Sequence, residues 1–387
     1  MKIIHVVKSL DPAMGGLPAA VLRLASGEAL YGHEVSIATY SDPDNDRTIS
    51  KFVDSIPYME RVKIVDCGKA SNVERITARR AFRTIDQAAK GHDVIHLHGV
   101  WDPILPAAAR VANAQRIPYV VTPHGMLDPW CLGQKPWKKR IALRLGYLKL
   151  LNQSSFIHFL NEDERKLAIP LGCKAASVII ANGLFSQELD DLPEEGSFLA
   201  EHDSQHRRPY VLFLSRLHYK KGLDILATAF GHVVGAGIEA DLVVSGPDGG
   251  ALADFNSRVE SLGIEKYVRV TGPLYGREKL AAFVDASVFC LPSRQEGFSM
   301  AILEALGCGT PVVVSQECHF PELETAGVGR VVTLDPTDVG NALIEFLNDL
   351  SSSRAVSSAA RQFMLSSYTC EKIAERMISA YQHSSAG

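Results

Sequence analysis

Short apolar runs alternate with longer amphipathic stretches along almost the whole chain. In the first half the runs fall near 2–7, 34–40, 93–97, 118–122, 155–159 and 177–180. Stretches with helical spacing fall near 17–31, 74–90, 103–115, 138–151 and 161–170. This order predicts βαβ units. The runs are too continuously apolar for half-exposed antiparallel strands and fit a parallel sheet covered on both faces. A second series follows, with strands near 210–214, 241–245, 267–271, 287–291 and 311–314 and helices near 222–235, 251–262, 277–285, 299–307 and 337–349. Between the series, Ser186–Gly196 and Glu201–Pro209 are acidic, then basic, and nearly without apolar residues, which reads as a linker. Beyond Tyr368 the positions Ile373, Ala374, Met377, Ile378 and Tyr381 recur at helical spacing and predict a closing helix. The expected architecture is α/β, with two Rossmann-like domains over 1–185 and 186–367 and the last helix over 368–387.

Composition changes this picture mainly by exclusion. A chain of 387 residues has room for two domains of ordinary size and two sizeable cores. It holds no run of about 18 apolar residues, so a membrane span is not expected. The opening run Met1–Val7 ends at Lys8 without the features of a signal peptide. The seven cysteines are scattered with no Cys-x-x-Cys, which argues against a disulfide framework or a zinc cluster. The cytoplasm is the expected compartment. Residues 1–190 carry 24 basic and 19 acidic side chains and the rest carries 16 and 25, so the front half is basic and the back half acidic. No concentrated basic stripe runs through either half, and a nucleic-acid partner is not expected.

One stretch does concentrate positive charge. From Lys135 to Leu151, Trp137, Ile141, Leu145 and Leu148 fall on one helical stripe, with Lys138, Arg144 and Lys149 elsewhere. It reads either as a core-facing helix with a solvated basic face or as a segment that docks on an anionic membrane surface, at the inner face of the membrane.

The candidate chemistry sits at the ends of strands, where doubly wound sheets bind ligands. Arg216 and Lys221 follow the strand Tyr210–Leu214, one a fork and one a point charge for phosphate oxygens. Gly222 opens the next helix, whose amides favour anions. Glu296 lies in the loop after the strand Ser287–Leu291, with Ser299 as the expected N-cap of a helix that carries Glu304 about two turns in. Free amides around Gly297, Phe298 and Ser299 can face a diphosphate oxygen or a sugar hydroxyl. In the front half, Gly15-Gly16 stand at the first βα turn, where amides can approach a phosphate. His124 follows the strand Tyr119–Thr122, and its imidazole can take a hydrogen bond from a sugar or acceptor. Trp101 and Asp128 are lesser candidates for an acceptor pocket. The bland alternatives are a solvated basic loop for Arg216 and Lys221, a surface salt bridge for Glu304, a plain turn at Gly15-Gly16 and a satisfied structural histidine.

Glu296-Gly-Phe-Ser-Met-Ala-Ile-Leu-Glu304, preceded by Ser-Arg216-Leu-His-Tyr-Lys-Lys221-Gly, resembles the retaining nucleotide-sugar glycosyltransferases of family 4, which have the GT-B fold. The resemblance implies that the two domains face each other across a cleft, with the donor on the second, the acceptor on the first, and the last helix crossing back to the first. It implies that Glu296 contacts the donor sugar, Glu304 the ribose, and Arg216 and Lys221 the diphosphate. Gly246-Pro-Asp-Gly-Gly is similar to the family's glycine-rich turn, and Thr271-Gly-Pro-Leu-Tyr to the stretch that reads the base. Gly15 and Gly16 would touch the donor phosphate on closure, and His124 would be a site residue. The usual hinge aspartate is missing from Ala181-Asn-Gly-Leu-Phe. The implied partners are a nucleotide-sugar donor and a saccharide or lipid-linked saccharide acceptor, in surface or exopolysaccharide biosynthesis. No cofactor and no obligatory metal are expected.

Rival readings exist. Asp42-Pro-Asp44-Asn-Asp46 contains a metal-type Asp-x-Asp but reads as a solvated loop. His96-Leu-His98 puts two imidazoles on one strand face, and with His124 could make a metal-hydrolase site, against which no obvious carboxylate lies nearby in the sequence. A nucleotide-sugar epimerase or hydrolase on the same fold and a non-catalytic sugar-nucleotide binder complete the alternatives.

Overall fold

The structure is a computed structural model that describes residues 1–134, 136–202, 208–348 and 350–385. It divides into two compact units, Met1–Phe185 with Thr369–Gly387, and Ser186–Tyr368. In the first unit the strands are β1 (Lys2–Val6), β2 (Glu34–Thr39), β3 (Val62–Asp66), β4 (Val94–His98), β5 (Tyr119–Thr122), β6 (Phe156–Phe159) and β7 (Ser177–Ile179). They form one sheet in the order β3-β2-β1-β4-β5-β6-β7, every pair parallel. In the second unit β8 (Tyr210–Leu214), β9 (Asp241–Ser245), β10 (Val268–Gly272), β11 (Val288–Leu291), β12 (Val312–Ser315) and β13 (Gly329–Val332) run in the order β10-β9-β8-β11-β12-β13, again all parallel.

Both orders reverse once, between β1 and β4 and between β8 and β11. Such a switch point opens a crevice at the carboxyl ends of the two strands, because the connections on either side leave in opposite directions. The central strands are buried on both faces, as their unbroken apolar runs require: Val211, Leu212, Phe213, Val288, Phe289 and Leu291 have no exposed surface. The closing helix Cys370–Ser385 belongs to the first unit and packs on the helix Gly16–Leu30. A Cβ at Gly27 would lie 3.0 Å from that of Ala374, so the two backbones approach closely.

Several expectations are corrected. The stretch after Ser186 is not a free linker: Leu189 and Phe198 are buried, and Asp285 accepts hydrogen bonds from the amides of Gly196, Phe198 and Leu199. Residues 203–207 of that stretch lie outside the described residues. Strands β3 and β13 and the helices Asp46–Asp54 and Leu350–Ser367 were not expected. The helix expected over 74–90 breaks at Ala78, which is left-handed with φ 47°; the Glu74 carboxylate accepts from the amides of Arg80 and Ala81 and caps the second piece. The helix expected over 138–151 is also interrupted, at Gly146. Lys135, at the start of that basic stretch, lies outside the described residues. The core contacts of the 138–151 stretch come from Leu143, Leu150 and Leu151, while Trp137, Ile141 and Leu145 are 63%, 47% and 82% exposed. Three of the four stripe residues therefore face solvent, while Leu148 is half-buried. No described helix is long and apolar enough to cross a membrane.

Candidate active site

In the second unit, the loops that follow β8, β9 and β11 are joined by their backbones. The amide of Arg294 donates to the carbonyl of Lys220 (2.7 Å), and that of Leu217 to the carbonyl of Pro247 (2.9 Å). Two glycines make this possible. Gly222, at φ +72°, sits so close to the neighbouring loop that a Cβ would lie 1.9 Å from the carbonyl oxygen of Pro292. Gly246, at φ +145°, would put a Cβ 1.8 Å from the carbonyl oxygen of Ser215. Neither position tolerates a side chain without moving a backbone.

This scaffold brings Lys221 and Glu296 together at the switch point. Lys221 Nζ lies 2.5 Å from Glu296 Oε1, which also accepts from the Ser293 hydroxyl at 2.6 Å. Burial favours the neutral acid, but the cations of Lys221 and Lys220 and the bonds from Lys221 and Ser293 outweigh it and hold Glu296 below the ordinary carboxylate range. The Ser293 carbonyl is itself held by the hydroxyl of Ser315 (2.5 Å). Arg294 makes a bidentate pair with Asp224 at 2.8 Å for each bond and stacks on Tyr219, which stiffens the same loop.

The other expected residues have distinct places. Arg216 is exposed, its stem packed on Gly249, and no carboxylate pairs with it among the described residues. Glu304 stands one turn, not two, inside the helix Met300–Gly307, and pairs with Lys279 at 2.9 Å, not with Arg216 or Lys221. Ser299 occupies the N-cap position, but its side chain makes no capping bond. The Phe298 ring is buried against Phe320 and Tyr368, which leaves only backbone groups of Phe298 for the expected role. Sequence reasoning missed Ser293 and Lys279. Neither carries a signal: Lys279 is chosen by its contact with Glu304 on the next helix, and Ser293 by a bond to Glu296 that the bend of their shared loop creates.

In the first unit the corresponding loops follow β1, β4 and β5, and Lys8 is tied to Asp102 at 3.0 Å across the first two. Gly15 caps the helix that begins at Gly16, and both are exposed. Trp101 donates its indole N–H to the carbonyl of Met126 (3.3 Å). The Asp128 carboxylate accepts from the amide of Trp130 (2.7 Å) and caps a short helix. His124 is half-buried, left-handed at φ 54°, and bonded through Nε2 to Nδ1 of His98 at 3.0 Å. Burial, and then the charge His158 would carry, push its pKa down to about 3, so the ring is neutral.

His96 and His98 do share one face of β4, their ring centroids 4.2 Å apart. His5, opposite His96 in the register of β1 with β4, joins them. The expected lack of a carboxylate is corrected: Glu28 Oε2 lies 2.7 Å from His5 Nε2. The Asp42–Asp46 segment is a surface loop leading into a helix, with Asp44 paired to Lys69 at 2.6 Å.

Two family models match, the Glycosyl transferase 4-like domain over residues 15–183 and Glycosyl transferases group 1 over residues 196–363. The chain is 24% identical to a glycosyltransferase of Methanocaldococcus jannaschii, over 99% of this chain and 98% of that protein. It is 29% identical to the GDP-mannose-dependent alpha-(1-6)-phosphatidylinositol monomannoside mannosyltransferase of Mycolicibacterium smegmatis, over 68% and 69% of the two chains. Among solved structures it is similar to Anabaena HepE in complex with UDP and glucose, with a TM-score of 0.80, 18% identity, and 99% and 100% of the two chains covered.

Proposed function

The chain belongs to the family 4 glycosyltransferases of GT-B fold, and from that premise we propose that it is a retaining enzyme. It moves a hexose from a nucleoside-diphosphate sugar to a glycan or lipid-linked saccharide. The observation that carries this reading is the Lys221–Glu296 pair, a buried carboxylate and a cation at the switch point of the second sheet. In this reading Glu296 receives a hydroxyl of the donor sugar and Glu304 the ribose. Arg216, Lys221 and the amides of Gly297, Phe298 and Ser299 offset the charge on the departing diphosphate, and Gly246 lets the backbone approach it. The leaving phosphate itself accepts the proton of the attacking hydroxyl. Gly15, Gly16 and His124 serve the donor from the first unit, and Trp101 and Asp128 the acceptor.

Replacing Arg216 by Ala lowers transfer by about 10²-fold or more while the fold survives, and the paired change Lys221→Met with Glu296→Gln does the same. Near-normal rates in both would mean that the site lies elsewhere. A thermal-shift comparison of UDP, GDP and ADP identifies the base, since only a ligand held by the folded state raises the transition.

A lipid-linked acceptor is favoured by the exposed Trp137, Ile141 and Leu145 among Lys138, Arg140 and Arg144. Such a face lies down on anionic lipid, its rings at the headgroup boundary, and would hold the enzyme at the inner face of the membrane. Its use in surface or exopolysaccharide synthesis follows from an acceptor of that kind. Flotation with anionic vesicles tests this: Trp137→Ser with Leu145→Ser abolishes binding, and a wild-type protein that stays at the bottom of the gradient removes the idea.

A further inference from the structure

The first unit encloses a continuous network of imidazoles anchored on Glu28, a carboxylate without solvent exposure. One branch runs from Glu28 Oε2 to His5 Nε2 (2.7 Å), from His5 Nδ1 to His98 Nε2 (2.9 Å) and from His98 Nδ1 to His124 Nε2 (3.0 Å). The other runs from Glu28 Oε1 to the Tyr381 hydroxyl (3.0 Å) and on to His96 Nδ1 (2.6 Å). It continues from His96 Nε2 to Thr122 Oγ1 (2.6 Å), to His158 Nδ1 (2.8 Å), and from His158 Nε2 to the carbonyl of Ile180 (2.7 Å). His5, His96 and His98 each offer a nitrogen within 4.8 Å of the others, a spacing that would suit a metal. Both ring nitrogens of each already serve hydrogen bonds, however, and those bonds account for the cluster.

A neutral imidazole has one N–H and one lone pair, so a chain of them has a direction. A buried carboxylate sets it. Glu28 accepts from His5 Nε2–H, His5 Nδ1 accepts from His98 Nε2–H, and His98 Nδ1 accepts from His124 Nε2–H. The lone pair at the far end is then Nδ1 of His124, which makes no hydrogen bond among the described residues. We propose that Glu28, His5 and His98 are positioning residues that hold His124 in its Nε2–H tautomer, so that Nδ1 stands at the carboxyl end of β5 as an acceptor for a substrate hydroxyl. The hydroxyl rests on the glycosyltransferase reading; the tautomer does not.

The second branch explains which variant is conservative. It ends in an acceptor on both sides, Glu28 and the Ile180 carbonyl. Along it the Tyr381 hydroxyl donates to Glu28 Oε1, and the ring and hydroxyl protons of His96, Thr122 and His158 serve the bonds beyond. A glutamine at position 28 keeps an amide oxygen for His5 and sets its amide N–H against the Tyr381 oxygen, whose own proton then turns to His96 Nδ1. A leucine supplies neither.

Long-range proton–nitrogen NMR spectra of the full chain at neutral pH test this, with the His124 ring identified by its loss in His124→Phe. The expected spectrum has a protonated Nε2 and an unprotonated Nδ1 on His124. Glu28→Gln keeps that form and Glu28→Leu yields a mixture. His98→Phe, which removes the acceptor for His124 Nε2, also yields a mixture and lowers kcat/KM for the donor sugar nucleotide about tenfold, the scale of one lost hydrogen bond. Stabilisation by UDP or GDP stays as in the wild type. A wild-type His124 carrying its proton on Nδ1, or a His124 ring unmoved in His98→Phe, overturns the proposal. Should His98→Phe or Glu28→Leu not fold, the wild-type and Glu28→Gln spectra decide it. The expected spectra without transfer or nucleotide stabilisation would instead sink the glycosyltransferase reading.

Discussion

At the scale of single residues, Lys221 answers to two demands. Without a donor it compensates Glu296, whose side chain is only 9% exposed; with one, it would be shared with the diphosphate. Removing one partner of a buried pair costs more than removing both, because the remaining charge keeps its desolvation penalty. Lys221→Ala is therefore expected to destabilise the second unit by about 3 kcal/mol. Lys221→Met combined with Glu296→Gln should recover most of that stability and none of the transfer. Urea unfolding and a transfer assay on the two variants separate the effects, and a double variant as unstable as the single one would show that the pair carries no coupled charge. The single Lys221 variant is thus a poor probe of function. Lys221 and Glu296 could be read from the sequence because motif and strand ends place them. Lys279, His5 and Glu28 could not, since each matters through a partner at least one element away, and Ser293 could not because its bond to Glu296 depends on how their loop bends.

At the scale of elements, legibility followed burial in part, for the edge strands β7 and β10 were read although they are no better buried than β13. The strands found in the sequence include all the central ones, which are buried along most of their length. The two that were missed, β3 and β13, are edge strands: β3 has three exposed positions of five, and β13 is half-buried over most of its length. A strand covered on one side needs no continuous apolar run, so it leaves a weak trace. The helix Leu350–Ser367 escaped for a similar reason, its first turns being rich in serine. The break at Ala78 escaped because a left-handed alanine is held by the Glu74 carboxylate rather than announced by glycine. The glycines were legible, but their tightness was not. With a Cβ 1.9 Å from the Pro292 oxygen, Gly222→Ala must separate the loops after β8 and β11, and with them Lys221 from Glu296. We expect it to lower transfer at least about tenfold and to weaken stabilisation by the nucleotide. Unchanged values for both would mean that the loops move apart without consequence for the site.

At the scale of the whole molecule, the two units carry different titrating groups. The first holds His96 and His98, which burial first, and then the neighbouring histidines, depress well below the ordinary value. It also holds His124 and His158, at about 3 and about 4, burial again being the main cause. In the unfolded chain such groups titrate near 6.5. Their folded pKa values are depressed, so the unfolded state binds more protons between these limits. The stability they permit is complete above about pH 6.5 and falls as the pH drops through that value toward 4, each histidine contributing up to about 1.4 kcal/mol per pH unit. In the second unit the Glu296 carboxyl, held below 4.5, loses its contribution only at more acid pH. The first unit should therefore weaken first on acidification. All three tryptophans, Trp101, Trp130 and Trp137, lie in that unit, so their fluorescence reports on it alone. Between pH 7 and pH 5 the thermal transition seen by tryptophan is expected to move down by more than that of the second unit, followed by hydrogen exchange in β8, β9 and β11. Equal shifts would mean that the units unfold as one body or that the histidines protonate without cost. A tryptophan transition that rises would refute the burial of neutral imidazoles on which the network of Glu28 depends.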